Sequence, residues 1–421
     1  APHPWAAFRD QAALGACLHH IAAEPPLTLV LAGDTFDFLM LPDYEGFDAA
    51  RSPDRLSAIL DCPENRPVLD GLRAVAARHQ VALLAGNHDP EVLLPAVRAR
   101  FAALLGMAPG DLVDEDLLDH ALWGLRFGPP DAEAWVVHGD LWDEANFIDR
   151  AGLLSAALGG DAVRLPPGSR LVYRVIRRLK QADYPWIDQV KPEIGSVIPL
   201  LLYLDWSLTM GVLKQEWGVG ASLLVGRLAA GGAPLLGPAG SARDGHELAP
   251  FFEAMRDAMP PAERDALLAA LAAAEHFPPP RPAPGTLAGH GGVWRWLLRA
   301  WIEAARRESA TFFDPSGPDA IVGTHAPVPQ HVRLLVAGHT HGPRDRAGST
   351  RYLNSGTWTP TWPLPAGDLE DVIDALERGE LPHPEDVTPR TLVELTVGAE
   401  VLGRLLRWTG AGLKPVNEET A

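Results

Sequence analysis

Four short stretches of this 421-residue chain leave an apolar run on residue types that bind metals or move protons: GDTFD at 33–37, GNHD at 86–89, VHGD at 137–140 and GHTH at 338–341. They carry Asp34, Asp37, Asn87, His88, Asp89, His138, Asp140, His339 and His341. Asp, Asn and neutral His offer oxygen and nitrogen lone pairs suited to Mn²⁺, Fe or Zn²⁺, and donors arriving from separate segments can surround an ion. Any one stretch is weak, because Asp, Asn and Gly also favour the turns that follow strands. Four in succession point to a built site.

The elements that must position these residues follow from periodicity. LTLVLAGD (27–34), VALLAGNHD (81–89), AWVVHGD (134–140) and RLLVAGHTH (333–341) each read as a strand that spills ligand-type residues at its C-terminal end. Helical periodicity over 8–23 and 67–80 precedes the first two. Strands alternating with helices predict an α/β fold, and the carboxyl edge of such a sheet is where sites are built. In the fourth stretch Gly338 lets the backbone turn so that His339 and His341 point the same way. Three later runs, TRYLNSGTW (350–358), TLVELTV (391–397) and VLGRLLRW (401–408), read as strands completing a second sheet. Between the two halves the pattern turns to Ala-, Leu-, Trp- and Pro-rich helical segments with Pro/Gly loops at 229–245 and 276–285. The expected organisation is a core formed by 1–145 and 331–421, interrupted by a helical insertion or cap at 146–330.

Composition sets bounds on this reading. With 47% hydrophobic and 21% charged residues the chain suits a soluble globular protein with a sizeable core. A net charge of −18 argues against a general polyanion binder, so no nucleic-acid partner is expected. Two cysteines, Cys17 and Cys62, are too few for a disulfide framework or a thiolate metal site and fit a reducing, cytoplasmic setting. The most apolar stretch, 195–214, carries Pro199 and Asp205 near its centre. It reads as a buried or membrane-surface helix pair, compatible with peripheral contact at the inner membrane face, and not as a span.

The order GDxxD, GNHD, a later His and GHTH resembles the calcineurin-like metallophosphoesterase superfamily, over roughly 25–145 and 330–410. The resemblance implies a four-layer α/β/β/α sandwich with a large helical insertion, and two divalent metals, Mn first with Fe or Zn as alternatives, between stacked sheets. It implies that Asp34 bridges the metals, that Asn87, His138 and His339 complete one of them, and that His341 binds the other. His88 would contact the substrate phosphate or protonate the leaving oxygen, and Asp37 and Asp89 would accept from ligating imidazoles. Two such cations hold a phosphate for in-line attack by a metal-bound hydroxide. In TRYLNSGTW, Asn354 would brace the site while Trp358 packs in the core. The family's DxH element has no counterpart before Asp34, so the second metal keeps only Asp34 and His341, and an N-terminus shortened by one strand is expected.

GDTFDF is most similar to the GDxFDF of the UDP-2,3-diacylglucosamine diphosphatases, which also carry a helical lid before GHTH. Here His88 stands where those enzymes commonly have Arg, and the insertion is longer. The resemblance implies hydrolysis of a phosphomonoester, phosphodiester or pyrophosphate bond in a phosphorylated small-molecule, lipid-linked or nucleotide-sugar substrate. Arg170, Arg174 and Arg178, at helical spacing inside the insertion, are read as one basic face suited to a phosphate head group. Two alternatives stay open: a nuclease or cyclic-nucleotide phosphodiesterase, and a non-catalytic scaffold that binds a partner through Trp294, Trp296 and Trp301 of the insertion.

Overall fold

A computed structural model describes residues 7–119, 122–143, 146–181, 187–189, 299, 302, 312, 314–317, 319, 328–361, 369–378 and 388–416. The apolar 195–214 stretch, the loops at 229–245 and 276–285, and Trp294, Trp296 and Trp301 lie outside these residues. The chain divides into two compact units, one of Ala1–Tyr173, Asp314–Pro360 and Val387–Ala421, the other of Arg174–Phe313 and Thr361–Asp386. The expected boundaries at 145/146 and 330/331 therefore move. Leu165 and Tyr173, with Leu154 and Ala157 beside them, pack into the core of the first unit, which draws 146–173 into it.

The first unit is mixed α/β. Strands β1 (Thr28–Ala32), β2 (Gln80–Leu84) and β3 (Leu112–Asp114) form a parallel sheet in that order. Side chains alternate as the period of a strand requires. Leu29, Leu31, Val81 and Leu83 pack with helices α1 (Gln11–Ala22), α2 (Ser52–Leu60), α3 (Arg66–Ala76) and α4 (Pro95–Leu105). Val30, Ala32, Ala82 and Leu84 face the other way, into a cluster shared with a second sheet.

That second sheet has six strands, ordered β4-β5-β6-β7-β9-β8: β4 (Asp116–Asp119), β5 (Leu122–Phe127), β6 (Glu133–Val137), β7 (Val332–Ala337), β8 (Arg344–Arg346) and β9 (Arg351–Asn354). Ala134, Val136, Leu334, Val336 and Leu353 meet the first sheet across the shared cluster. Trp135, Val137, Leu335, Ala337 and Tyr352 are buried on the opposite face. A helical layer, one sheet and a second sheet are thus stacked through two hydrophobic cores.

The three late runs do not share one sheet as expected. Tyr352 and Leu353 are buried on opposite faces, so β9 is an interior strand, parallel to β7. The other two, β10 (Thr391–Val397) and β11 (Val401–Trp408), form an antiparallel sheet with β12 (Leu413–Pro415). Their alternation is one-sided: Val393 and Leu395 join the inter-sheet cluster, while Glu394 and Arg404 pair on the exposed side.

The basic face is not formed either. Helix α5 (Arg150–Gly159) is followed by α6 (Pro167–Leu171), a π-helical stretch Val172–Ile176 and α7 (Arg177–Gln181). The wider π turn shifts the angular phase of everything after it. Arg170 is buried and donates to the Leu165 carbonyl, Arg174 is half-buried and Arg178 is exposed. Among the described residues no helix is long and apolar enough to cross a membrane.

One buried acid sits just past GNHD. Glu91 is fully buried, and its Oε1 accepts from the hydroxyl of the equally buried Tyr44 at 2.8 Å, while the Arg55 guanidinium lies 4.8 Å from the Tyr44 ring centre. Burial pushes the Glu91 carboxyl up from 4.5 to about 7. A raised folded-state value favours the protonated acid, so this contribution to stability is full below about 4.5 and is lost as pH climbs through about 7. Glu91→Gln, which keeps the acceptor for Tyr44, should remove about 3 kcal/mol of that fall. Urea denaturation from pH 4.5 to 8 checks it; a variant with the wild-type pH slope would exclude Glu91 as its source.

Candidate metal centre

Because β1 and β2, β6 and β7, and β7 and β9 pair in parallel, their C-terminal ends gather along common sheet edges. Asp34 follows β1, Asn87 follows β2, His138 follows β6 and His339 follows β7. One ligand-type atom from each of Asp34, His138 and His339 lies within 4.8 Å of the others, an arrangement that can hold a metal ion. Asn87 joins them, its Oδ1 3.2 Å from His138 Nε2. His341, half-buried, lies two residues past His339 and outside that mutual group.

Close approach dictates the glycines here. A Cβ on Gly33, whose φ is +86°, would stand 2.4 Å from His138 Nδ1, and one on Gly86 would stand 2.1 Å from Asp34 Oδ1. Among the described residues four non-glycines have positive φ, and three are expected ligands: Asp34 (50°), His339 (65°) and His341 (64°), with Arg390 the fourth. A left-handed backbone costs a residue with a Cβ about 1 kcal/mol, less for Asp and His than for branched types.

Two buried polar clusters hold these turns. Asp89 accepts from four backbone amides, those of Asp34 (3.0 Å), Thr35 (2.7 Å), Phe36 (3.0 Å) and Gly86 (2.7 Å), and so ties the GDTFD turn to the GNHD turn. Phe36 fixes the first turn from the other side, edge-on to Phe101 of α4 at 5.3 Å. Behind GHTH, Asn354 Nδ2 lies 2.9 Å from the Gly338 carbonyl and 2.9 Å from Thr340 Oγ1. Asp319 Oδ2 accepts from Thr340 Oγ1 at 2.8 Å and from the Tyr352 hydroxyl at 2.9 Å. Asn354 thus braces the turn as expected, and Trp358 packs against the core with its Nε1 donating to the Thr391 carbonyl at 3.1 Å.

The expected roles of Asp37 and Asp89 change. Asp89 orients backbone, not an imidazole, because its oxygens are taken up by the four amides. Asp37 contacts His88, whose Nδ1 lies 3.1 Å away, and His88 is not among the clustered donors. Burial works against a charge on His88, but the carboxylates of Asp34 and Asp37 outweigh it and raise the imidazole to about 9. Burial likewise pushes Asp34 up, and the opposing charges of His138 and His88 hold it well below the usual carboxylate range.

The lone pairs of the site converge. His138 Nδ1 lies 2.9 Å from the Ala32 carbonyl, which only accepts, so Nδ1 carries the hydrogen. Nε2 then turns its lone pair toward two more acceptors, Asn87 Oδ1 at 3.2 Å and Asp34 Oδ2 at 3.4 Å. A second proton on His138 relieves that convergence, and although burial opposes it, the Asp34 carboxylate raises the imidazole accordingly. A divalent cation relieves it with more charge, and the donor set suits one.

Sequence reading missed the buried support beneath the clustered donors. Asp140 pairs with Arg150, Oδ1 to Nη2 at 2.9 Å, and Arg150 Nη2 also donates to the Ala85 carbonyl at 2.7 Å while its Nε lies 3.4 Å from Glu115. It also missed Asp143, whose Oδ2 lies 2.9 Å from His339 Nε2. Asp143 falls three residues beyond the VHGD motif, a helical-turn spacing that was the one available signal. No family model, curated protein or solved structure matches this chain.

The Asp140–Arg150 pair is nearly solvent-free. Asp140→Asn should cost about 3 kcal/mol, because it strands a buried guanidinium with Glu115 as its remaining carboxylate. Urea denaturation measures this; a loss below about 1 kcal/mol would mean that the pair is not what fixes the loop.

Proposed function

We propose that this chain is a metal-dependent phosphoesterase of the calcineurin-like kind, built as a four-layer α/β/β/α sandwich. The observation that carries the reading is the convergence of His138 Nε2, Asn87 Oδ1 and Asp34 Oδ2, three lone pairs with no hydrogen among them in the neutral imidazole. Asp34, Asn87, His138 and His339 would hold one cation, most readily Mn²⁺, and Asp34 with His341 would contribute to a second. Bound there, divalent cations supply Lewis acidity and lower the pKa of water near a phosphate.

The chain's own groups account for the rest. His88 is 28% exposed, and in the metal-free site the carboxylates of Asp34 and Asp37 raise its imidazole to about 9. Asp37 engages Nδ1, which leaves Nε2–H as the proton His88 has to give to a leaving oxygen or to a phosphate oxygen. Asp34 is held ionised by the neighbouring imidazoles, a carboxylate placed to take up a cation. The substrate class is a phosphate or pyrophosphate ester; a lipid-linked or nucleotide-sugar compound is favoured by the GDTFDF pattern, and the net charge of −18 disfavours a nucleic acid.

With Mn²⁺ the chain should hydrolyse an aryl phosphodiester such as bis-(p-nitrophenyl) phosphate. Excess EDTA, Asp34→Asn or His138→Ala should each lower kcat/KM by roughly 100-fold or more. His88→Ala should depress kcat more than KM and leave metal content unchanged. Turnover indifferent to chelator and to both ligand variants would sink the reading. Preference for a UDP-linked lipid over the aryl ester would fix the branch.

A further inference from the structure

The two best-buried histidines of the centre are joined by a circuit of amides whose direction is set at one end by a carboxylate. Asp143, fully buried, accepts on Oδ2 from His339 Nε2 at 2.9 Å and from Asn146 Nδ2 at 2.6 Å. Committing its nitrogen to Asp143 leaves Asn146 only its oxygen to offer, and Asn146 Oδ1 accepts from Asn87 Nδ2 at 3.2 Å. Asn87 in turn has only its oxygen left, and that oxygen faces His138 Nε2 at 3.2 Å. At the far end the Ala32 carbonyl fixes the hydrogen of His138 on Nδ1. Asn87, Asn146 and both histidines are buried, so water does not substitute for these partners.

A carboxamide is nearly symmetric in shape and opposite in polarity across its two ends. Turned the other way, Asn87 would present an N–H to the His138 lone pair, make a hydrogen bond there and close the position to a cation. Its own surroundings contain His138 on one side and Asn146 on the other, so Asn87 alone does not decide. Asp143 decides, because its Oδ2 faces the amide nitrogen of Asn146 and accepts from it. The same oxygen holds the hydrogen of His339 on Nε2, which places the lone pair of the neutral ring on Nδ1.

We propose that Asp143 and Asn146 are positioning residues that set the polarity of the metal centre: Asp143 fixes the His339 tautomer directly and, through Asn146, aims the oxygen of Asn87 at the cation position. This role rests on the metal-centre reading above. The local backbone suits it, since Asn146 N donates to the Asp143 carbonyl at 3.0 Å and Phe147 N to the same carbonyl at 2.7 Å, holding the two side chains on one tight turn.

The test uses the full chain labelled with ¹⁵N-histidine, without metal, and long-range ¹⁵N–¹H correlation to read each tautomer. At a pH high enough to deprotonate both rings, wild type should show His138 as Nδ1–H and His339 as Nε2–H. Asp143→Leu should release the His339 tautomer and leave that of His138 unchanged, because Ala32 holds it independently. Asn146→Ala, a milder change that leaves the Asp143–His339 contact in place, should preserve both tautomers. Titration with Mn²⁺ should show both variants roughly 10- to 100-fold weaker than wild type, with near-ultraviolet circular dichroism confirming that each is folded. Wild-type affinity in a folded Asn146→Ala, or an unmoved His339 tautomer in Asp143→Leu, would overturn the proposal. A wild-type chain with the expected tautomers that binds no Mn²⁺ would overturn the metal-centre reading and this role with it. Wild-type binding with unaffected variants would overturn the positioning role alone.

Discussion

The hydrogen bond from His138 Nδ1 to the Ala32 carbonyl is the joint on which the centre depends. It runs from the end of a strand in the six-stranded sheet to the end of β1 in the parallel three-stranded sheet, so it ties together the two layers whose carboxyl edges carry the clustered donors. It also decides which nitrogen of His138 keeps a lone pair. One contact thereby fixes the spacing of the sheets and the chemistry of the ring. The glycine at 33 follows from it, since any Cβ there would occupy the space of the imidazole.

The strands, and the order in which ligand types leave them, were legible in the sequence because both depend on local pattern. An apolar alternation such as VALL divides its side chains between two cores, Val81 and Leu83 to one and Ala82 and Leu84 to the other, and a strand buried on both faces is what a continuous apolar run encodes. Sheet membership of the late strands was less legible. TRYLN and TLVEL have similar β propensity, and what separates them is tertiary: Tyr352 and Leu353 both find cover, while Glu394 meets Arg404 on the exposed side. The three arginines were misplaced for a different reason, because a π turn leaves no mark in spacing alone and rotates every later residue out of phase.

Within the site, the residues that gather were legible and the groups that support them were not. Asp34, Asn87, His138 and His339 stand in motifs whose residue types announce their chemistry. Asp143, Asn146, Asp319 and Arg150 are ordinary loop and helix-start residues in sequence, and their roles arise only when the chain is closed: Asp319 reaches Thr340 across 21 positions, Arg150 reaches the Ala85 carbonyl across 65, and Asn146 reaches Asn87 across 59. Long-range buried hydrogen bonds of this sort follow from topology, not from periodicity. Asp89 shows the same limit from within a motif, since its residue type suggested an imidazole partner and the fold gave its oxygens to four amides.

The strain at the expected ligands and the polar networks beneath them belong together. Asp34, His339 and His341 adopt a left-handed backbone that their side chains disfavour, and such conformations persist only where the surroundings over-determine them. For Asp34 the over-determination is the Asp89 carboxylate, which gathers its amide and those of the next two residues; at the same time the Asp34 side chain accepts from the His88 amide at 2.8 Å. For GHTH it is the Asn354–Asp319 cluster acting on Gly338 and Thr340, the residues on either side of His339. Each network is largely buried and therefore costly to leave half-satisfied. A carboxylate such as Asp89, raised to about 7 by burial and by the charge of Asp34, remains there because four amides compensate it. The geometry of the clustered donors is thus held by groups outside the cluster, and a substitution among them would loosen it without removing a single donor.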